Sequence, residues 1–229
     1  AKALEAGASL GIKSVEIEDA EKESDAEVII REQWDEIVMP HVDESLHELA
    51  NSTLDKIIEL YGDEEREHHG LEHIAYCLDK LDAYRERGDF FKLWFALLMH
   101  DIVYDPEHAM NEEDSGAFAV YVSGILELDI DEDVDRLIVS TKKHDSEVED
   151  EALICSIDML ILAAKPERYD QYSKAIRKEY SWVPREIYIQ ERIKVLQGFG
   201  KIFRHPDFEK YEEKALQNID REKAQLSSR

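Results

Sequence analysis

The sequence predicts an all-α protein: a single helical bundle extended by additional helices at its C-terminal end. Glycine (9) and proline (5) are sparse among 229 residues, while Leu, Ile, Ala, Glu and Lys dominate, a mixture that favours helix over strand. Apolar residues recur at spacings of three and four, the period of one helix face. No segment alternates convincingly as a strand, and there is no internal repeat or low-complexity tract.

Residues 1–25 are small, then acidic, and weakly periodic. They read as a tail or linker, and 26–229 as one domain. Helical patterning begins near Ala26, with Val28, Ile29, Trp34, Ile37 and Val38 as expected core, and Pro40 stops it. A second helix is expected from Val42 to Tyr61, through Leu46, Leu49, Leu54, Ile57, Ile58 and Leu60. A polar connection leads to a helix marked by Leu71, Ile74, Ala75, Leu78 and Leu81, closed by Gly88. Asp89 reads as the N-cap of Phe90 to Val103, which is apolar on nearly every side and therefore expected at the centre. Asn111–Leu128 and Asp131–His144 are amphipathic. Ala152–Ala164 is almost wholly apolar and ends before Pro166. Two or three further helices carry aromatics at Tyr169, Tyr172, Tyr180, Trp182, Tyr188, Phe199, Phe203 and Phe208, which read as core.

Charge narrows the function. With 28 basic against 54 acidic residues the net charge is −26, so a broad grip on nucleic-acid phosphates is not expected. The same field repels free anions, and a nucleotide-like substrate would need a metal ion or a local basic cluster to draw it in. Cys77 and Cys155 sit in apolar helical runs without a disulfide framework, which suits a reducing, cytoplasmic setting. No apolar run is long enough for a transmembrane helix, and Ala1–Ile12 lacks the pattern of a signal peptide. With no initiator Met, the chain is compatible with being part of a longer protein. A homo-oligomer is equally compatible.

The chemistry lies where charge is expensive. His100-Asp101 closes the central apolar helix, and Asp158 lies inside Ile154–Leu162. A buried carboxylate there needs a partner or a metal. His69 opens the third helix in His68-His69-Gly70-Leu71-Glu72-His73, with His69 and His73 at i and i+4. Each residue alone has a bland reading, a cap or a solvated imidazole. Together, two imidazoles and two carboxylates suit a divalent ion with positions left for water and substrate.

The order His, His-Asp, distant Asp resembles the HD superfamily of metal-dependent phosphohydrolases. The segments His69–His73, His100–Pro106, Asn111–Ser115, Thr141–His144 and Ile176–Tyr180 look like a branch of predicted bacterial-type HD phosphohydrolases, and the similarity spans about 27–220. It implies His69, His100, Asp101 and Asp158 as ligands of a divalent ion (Mn, Fe, Co, Ni, Mg or Zn), with Asp101 also in the catalytic set. From the same segments, Glu112 or Glu113 is expected to orient the attacking water or act as general base. Their positions are about 100° apart on a helix, so one of the two is expected to face the site. His144 is expected on the core side of its helix, contacting phosphate or completing a second metal site. His73, Lys142, Lys143 and Arg177 are the remaining candidates for substrate binding.

The expected activity is hydrolysis of a phosphoester in a nucleotide or similar small metabolite. The alternative is a nucleotide-sensing or regulatory HD module. Gly198-Phe199-Gly200-Lys201 is neither a P-loop nor a dinucleotide fingerprint, and Gly70 stands where a zincin needs Glu.

Overall fold

The computed structural model describes residues 26–130 and 133–228. The expected tail, 1–25, and the expected helix start at Asp131 lie outside the described residues. Ten α-helices and no strand occur among the described residues, so the chain is all α, as its composition predicts. No helix there is long and apolar enough to cross a membrane.

Helix α4 (Phe90–Met99) is the axis of the core. Leu93 through Met99 are all fully buried, which is the packing an all-round apolar helix requires. Around it stand α3 (Leu71–Leu81), α5 (Asn111–Ile125), α6 (Asp133–Ser140) and α7 (Glu149–Asp158). Helix α1 (Ala26–Ile37) lies on α3 and touches α2 (His47–Tyr61). The Trp94 indole donates to Gln33 across the α4–α1 contact at 2.7 Å. After α7 the chain tightens into a 3-10 turn, Met159–Ala163. Helices α8 (Pro166–Glu179) and α10 (Glu212–Ser227) pack on that turn, and α9 (Arg185–Gly198) packs on α10.

These last helices are tied to the core by buried polar contacts. The Asn218 amide donates to the carbonyls of Leu162 and Ala164, satisfying groups that a helix end leaves open. Glu222 is buried on α10 and accepts from Tyr169, Ser173 and Arg192, which joins α8, α9 and α10 at one carboxylate.

Several local expectations change. Helix α4 stops at Met99, so His100 caps its end and Asp101 lies just beyond. Asp89 makes no side-chain cap. Its carboxylate is taken by Arg87, which also binds Glu149 and Asp150 on α7. Helix α3 begins after Gly70, so His69 precedes it and the i, i+4 relation to His73 does not apply. Helix α6 ends at Ser140, and His144 stands in the following loop with φ +53°. Val28, expected in the core, is half exposed, as are Tyr121 and Trp182.

Candidate metal centre

The chain ends of α4 and α7 converge near the start of α3. Asp101 follows the C-terminal end of α4, and Asp158 is the last residue of α7. Both carboxylates therefore sit where the helix dipole is negative, which disfavours a second negative charge. The compensation comes from imidazoles. His73 Nε2 lies 3.0 Å from Asp158 Oδ1, 3.7 Å from Asp101 Oδ2 and 3.4 Å from His100 Nε2. His100 Nε2 lies 3.1 Å from Asp101 Oδ2 and 3.6 Å from Asp158 Oδ1.

These separations test the fit to a metal. Donor atoms about 2.0–2.2 Å from one ion at tetrahedral angles lie about 3.3–3.6 Å from one another. The five separations above bracket that range. The ring orientation is also suitable: His100 Nδ1 donates to the Leu97 carbonyl at 2.8 Å, which turns Nε2 toward the cluster. Cys77 borders the same group, its Sγ 3.8 Å from the His73 ring nitrogens and grouped with His73 and Asp158. The donors form two groups that share His73 and could each hold a divalent ion: His73 with His100 and Asp101, and His73 with Cys77 and Asp158.

The electrostatics agree with the geometry. Burial would raise the Asp101 and Asp158 carboxyls, but the neighbouring imidazoles hold both below the usual carboxylate range. Burial would lower His100, and the two carboxylates instead raise it well above its ordinary value. Burial drives the Cys77 thiol well up, and the nearby carboxylates push the same way.

The first two imidazoles are placed differently from expectation. His73, expected at the substrate, brings its donor into the cluster. His69, expected as a ligand, stands beside it, and its Nδ1 pairs with Glu179 at 2.8 Å. Glu179 also accepts from the backbone N–H groups of His68 and His69 and from the Tyr104 hydroxyl. Burial opposes a charged His69, yet the Glu179 hydrogen bond and the Asp101 charge raise its pKa.

Other expected residues divide sharply. His144 joins the cluster, with Nε2 2.6 Å from Asp158 Oδ2. Glu112 and Glu113 sit in the first turn of α5 and both face Lys142, which binds Glu113 at 2.6 Å and Glu112 at 3.4 Å. Lys142 is thus neutralised and also donates to the Ala109 carbonyl. Lys143 is exposed. Arg177 donates to the carbonyls of Tyr180 and Val183 and lies over the Tyr188 ring. It braces the turn between α8 and α9. The His108 imidazole is exposed and pairs with Asp114.

Glu179 and His68 were not singled out by the sequence. Glu179 belongs to a polar helix where a solvated glutamate is the ordinary reading, and its partners lie 75 to 111 residues away. Arg66 likewise gives no signal, yet it clamps the carbonyls of Asp101 and Ile102 at 2.7 and 2.9 Å. No family profile, curated protein or solved structure matches the chain. The HD resemblance rests on the segments quoted for it.

Proposed function

We propose that the protein is a metal-dependent phosphohydrolase of the HD type, acting on a phosphoester of a nucleotide or similar small metabolite. The reading is carried by the convergence of His73, His100, Asp101 and Asp158 at ion-sharing distances, on two helix ends that each already carry negative charge. A bound divalent ion would supply positive charge to a phosphoryl oxygen and make a water more acidic.

The chain's own groups do the rest. Asp101 and Asp158 hold negative charge in a half-buried recess, and His100 is fixed in register by Leu97. His144 is placed to take a proton: it is half-buried, and Asp158 orients its ring through Nε2. Glu112 and Glu113 are the rival bases, held by Lys142. The two buried, unpaired cysteines support a reducing, cytoplasmic setting, and the acidity supports a small phosphorylated substrate over a nucleic acid.

A screen of the full chain with Mn, Fe, Co, Ni, Mg and Zn over mono-, di- and triphosphates and cyclic nucleotides tests this. Hydrolysis is expected with at least one metal, and Asp101→Ala is expected to lose metal and activity together. His144→Gln, or failing that one of Glu112→Gln and Glu113→Gln, should keep the metal and lose about 10²–10⁴-fold in turnover. A metal-loaded parent that hydrolyses nothing would replace the enzyme by a nucleotide-sensing regulatory module.

A further inference from the structure

A cleft of about 370 Å³ opens between α3 and α8, directly beside the metal cluster. One wall is His68, Glu72, His73 and Tyr76; the other is a stripe of α8 carrying Arg168, Gln171, Tyr172, Ala175 and Lys178. These α8 positions are spaced i, i+3, i+4, i+7 and i+10, so one helix face looks into the cleft. The shared residue is decisive: His73 lines the cleft and also contacts Asp158 and His100. A molecule in the cleft therefore abuts the cluster.

The charge of this wall runs against the rest of the chain. Eight of the 28 basic residues fall within 165–194, against five acidic ones, in a molecule of net charge −26. In the cleft, Lys178 is paired with Glu67 at 2.9 Å. Arg168 touches only the amide oxygen of Gln171, at 3.4 Å, and neither it nor Lys174 has a carboxylate partner among the described residues. Two cations left unneutralised amid such an excess of carboxylates make this wall a local attractor for anions. The Tyr76 hydroxyl is also buried at the cleft without a hydrogen-bond partner among the described residues. By contrast, Lys142 and Arg177 are consumed by the protein itself.

We propose that this cleft binds the distal phosphate groups of an oligophosphate substrate, such as a nucleoside di- or triphosphate, through Arg168 and Lys174, while the phosphoryl group to be hydrolysed rests on the cluster beyond His73. The substrate class rests on the hydrolase reading above; the anion site itself does not. The volume lies at the lower end of small-molecule pockets, which run about 300–1,000 Å³, and suits a phosphate chain better than a whole nucleotide.

The probe is sodium tripolyphosphate, titrated calorimetrically into the full chain against orthophosphate as comparator. The parent is expected to bind tripolyphosphate more tightly than orthophosphate, and less tightly as salt is added. The double variant Arg168→Ala/Lys174→Ala should lose at least about tenfold in affinity with its metal content unchanged. Asp158→Ala should lose metal and keep metal-free tripolyphosphate binding. Equal binding by parent and double variant, equal affinity for the two anions, or no binding by the parent overturns the proposal. The two readings fail separately. A parent that binds tripolyphosphate through Arg168 and Lys174 but hydrolyses no phosphoester loses the hydrolase and keeps the cleft. A parent that hydrolyses simple phosphate esters equally well in the double variant and binds no tripolyphosphate loses the cleft and keeps the hydrolase.

Discussion

Asp101 and Asp158 were legible as site candidates because each adjoins or interrupts an apolar run, where an ionised side chain is costly. Their meeting was expected from the order His, His-Asp, distant Asp, and the ends of α4 and α7 bring it about. His69 and His73 show the limit of spacing arguments. The pair reads as i and i+4 only if the helix starts before Gly70; since α3 starts at Leu71, the first imidazole belongs to the preceding loop and turns to Glu179. Glu179 is therefore the residue to test. It accepts four hydrogen bonds from His68, His69 and Tyr104 and contacts none of the four ligands. Glu179→Gln is expected to weaken metal affinity by about 10–100-fold, as loss of a positioning carboxylate does. His73→Ala should cost far more than His69→Ala. Calorimetric metal titration of the three variants would decide this, and equal losses at His69 and His73 would restore the order expected from sequence.

Helices were legible in kind and approximate in extent. Apolar girth placed α4 correctly at the centre, and Pro166 correctly closed the segment containing α7, because both signals are strong and local. Ends were read less well where a side chain had a better partner elsewhere: Asp89 gives its carboxylate to Arg87 and leaves the first turn of α4 uncapped. The short 3-10 turn Pro206–Tyr211 shows a cap the sequence did not announce. His205 is buried, and its Nδ1 accepts from the Asp207 N–H. Burial holds its pKa below the ordinary 6.5. Because the folded value is the lower one, the unfolded chain takes the proton first. The contribution of this cap is then complete above about pH 6.5 and declines as the pH falls below it. Urea midpoints measured between pH 8 and pH 5 should fall more steeply for the parent than for His205→Asn, which keeps an acceptor and does not titrate. Parallel pH profiles would refute the assignment.

At the scale of the whole molecule, an acidic bundle gathers two carboxylates at one spot and draws cationic side chains to one helix. The first could be read from sequence. The second was missed, because the basic residues of α8 are interspersed with acidic ones and only the fold separates their faces. A ligand that binds the folded state alone stabilises it by mass action, about 2.7 kcal/mol at a hundredfold excess over its Kd. The melting temperature of the parent is expected to rise with added divalent metal and to fall on chelation, while Asp158→Ala should respond to neither. A variant that melts like the metal-loaded parent would place the ion elsewhere.

The carboxylate of Glu179 reaches back 110 residues to the backbone of His69, and this distance sets a timetable. Ribosomes add about 5–20 residues per second, so the segment around His69 waits roughly 6–22 s for its anchor. During that interval a nascent chain holds His73, His100 and Asp101 but first lacks Asp158 and then Glu179. Chains stalled before Asp158 has left the ribosome should take up no metal, and those stalled after its emergence but before that of Glu179 should hold metal loosely in a segment open to protease. On the proposed reading, the centre closes late in translation, after His73, His100 and Asp101 have already been made.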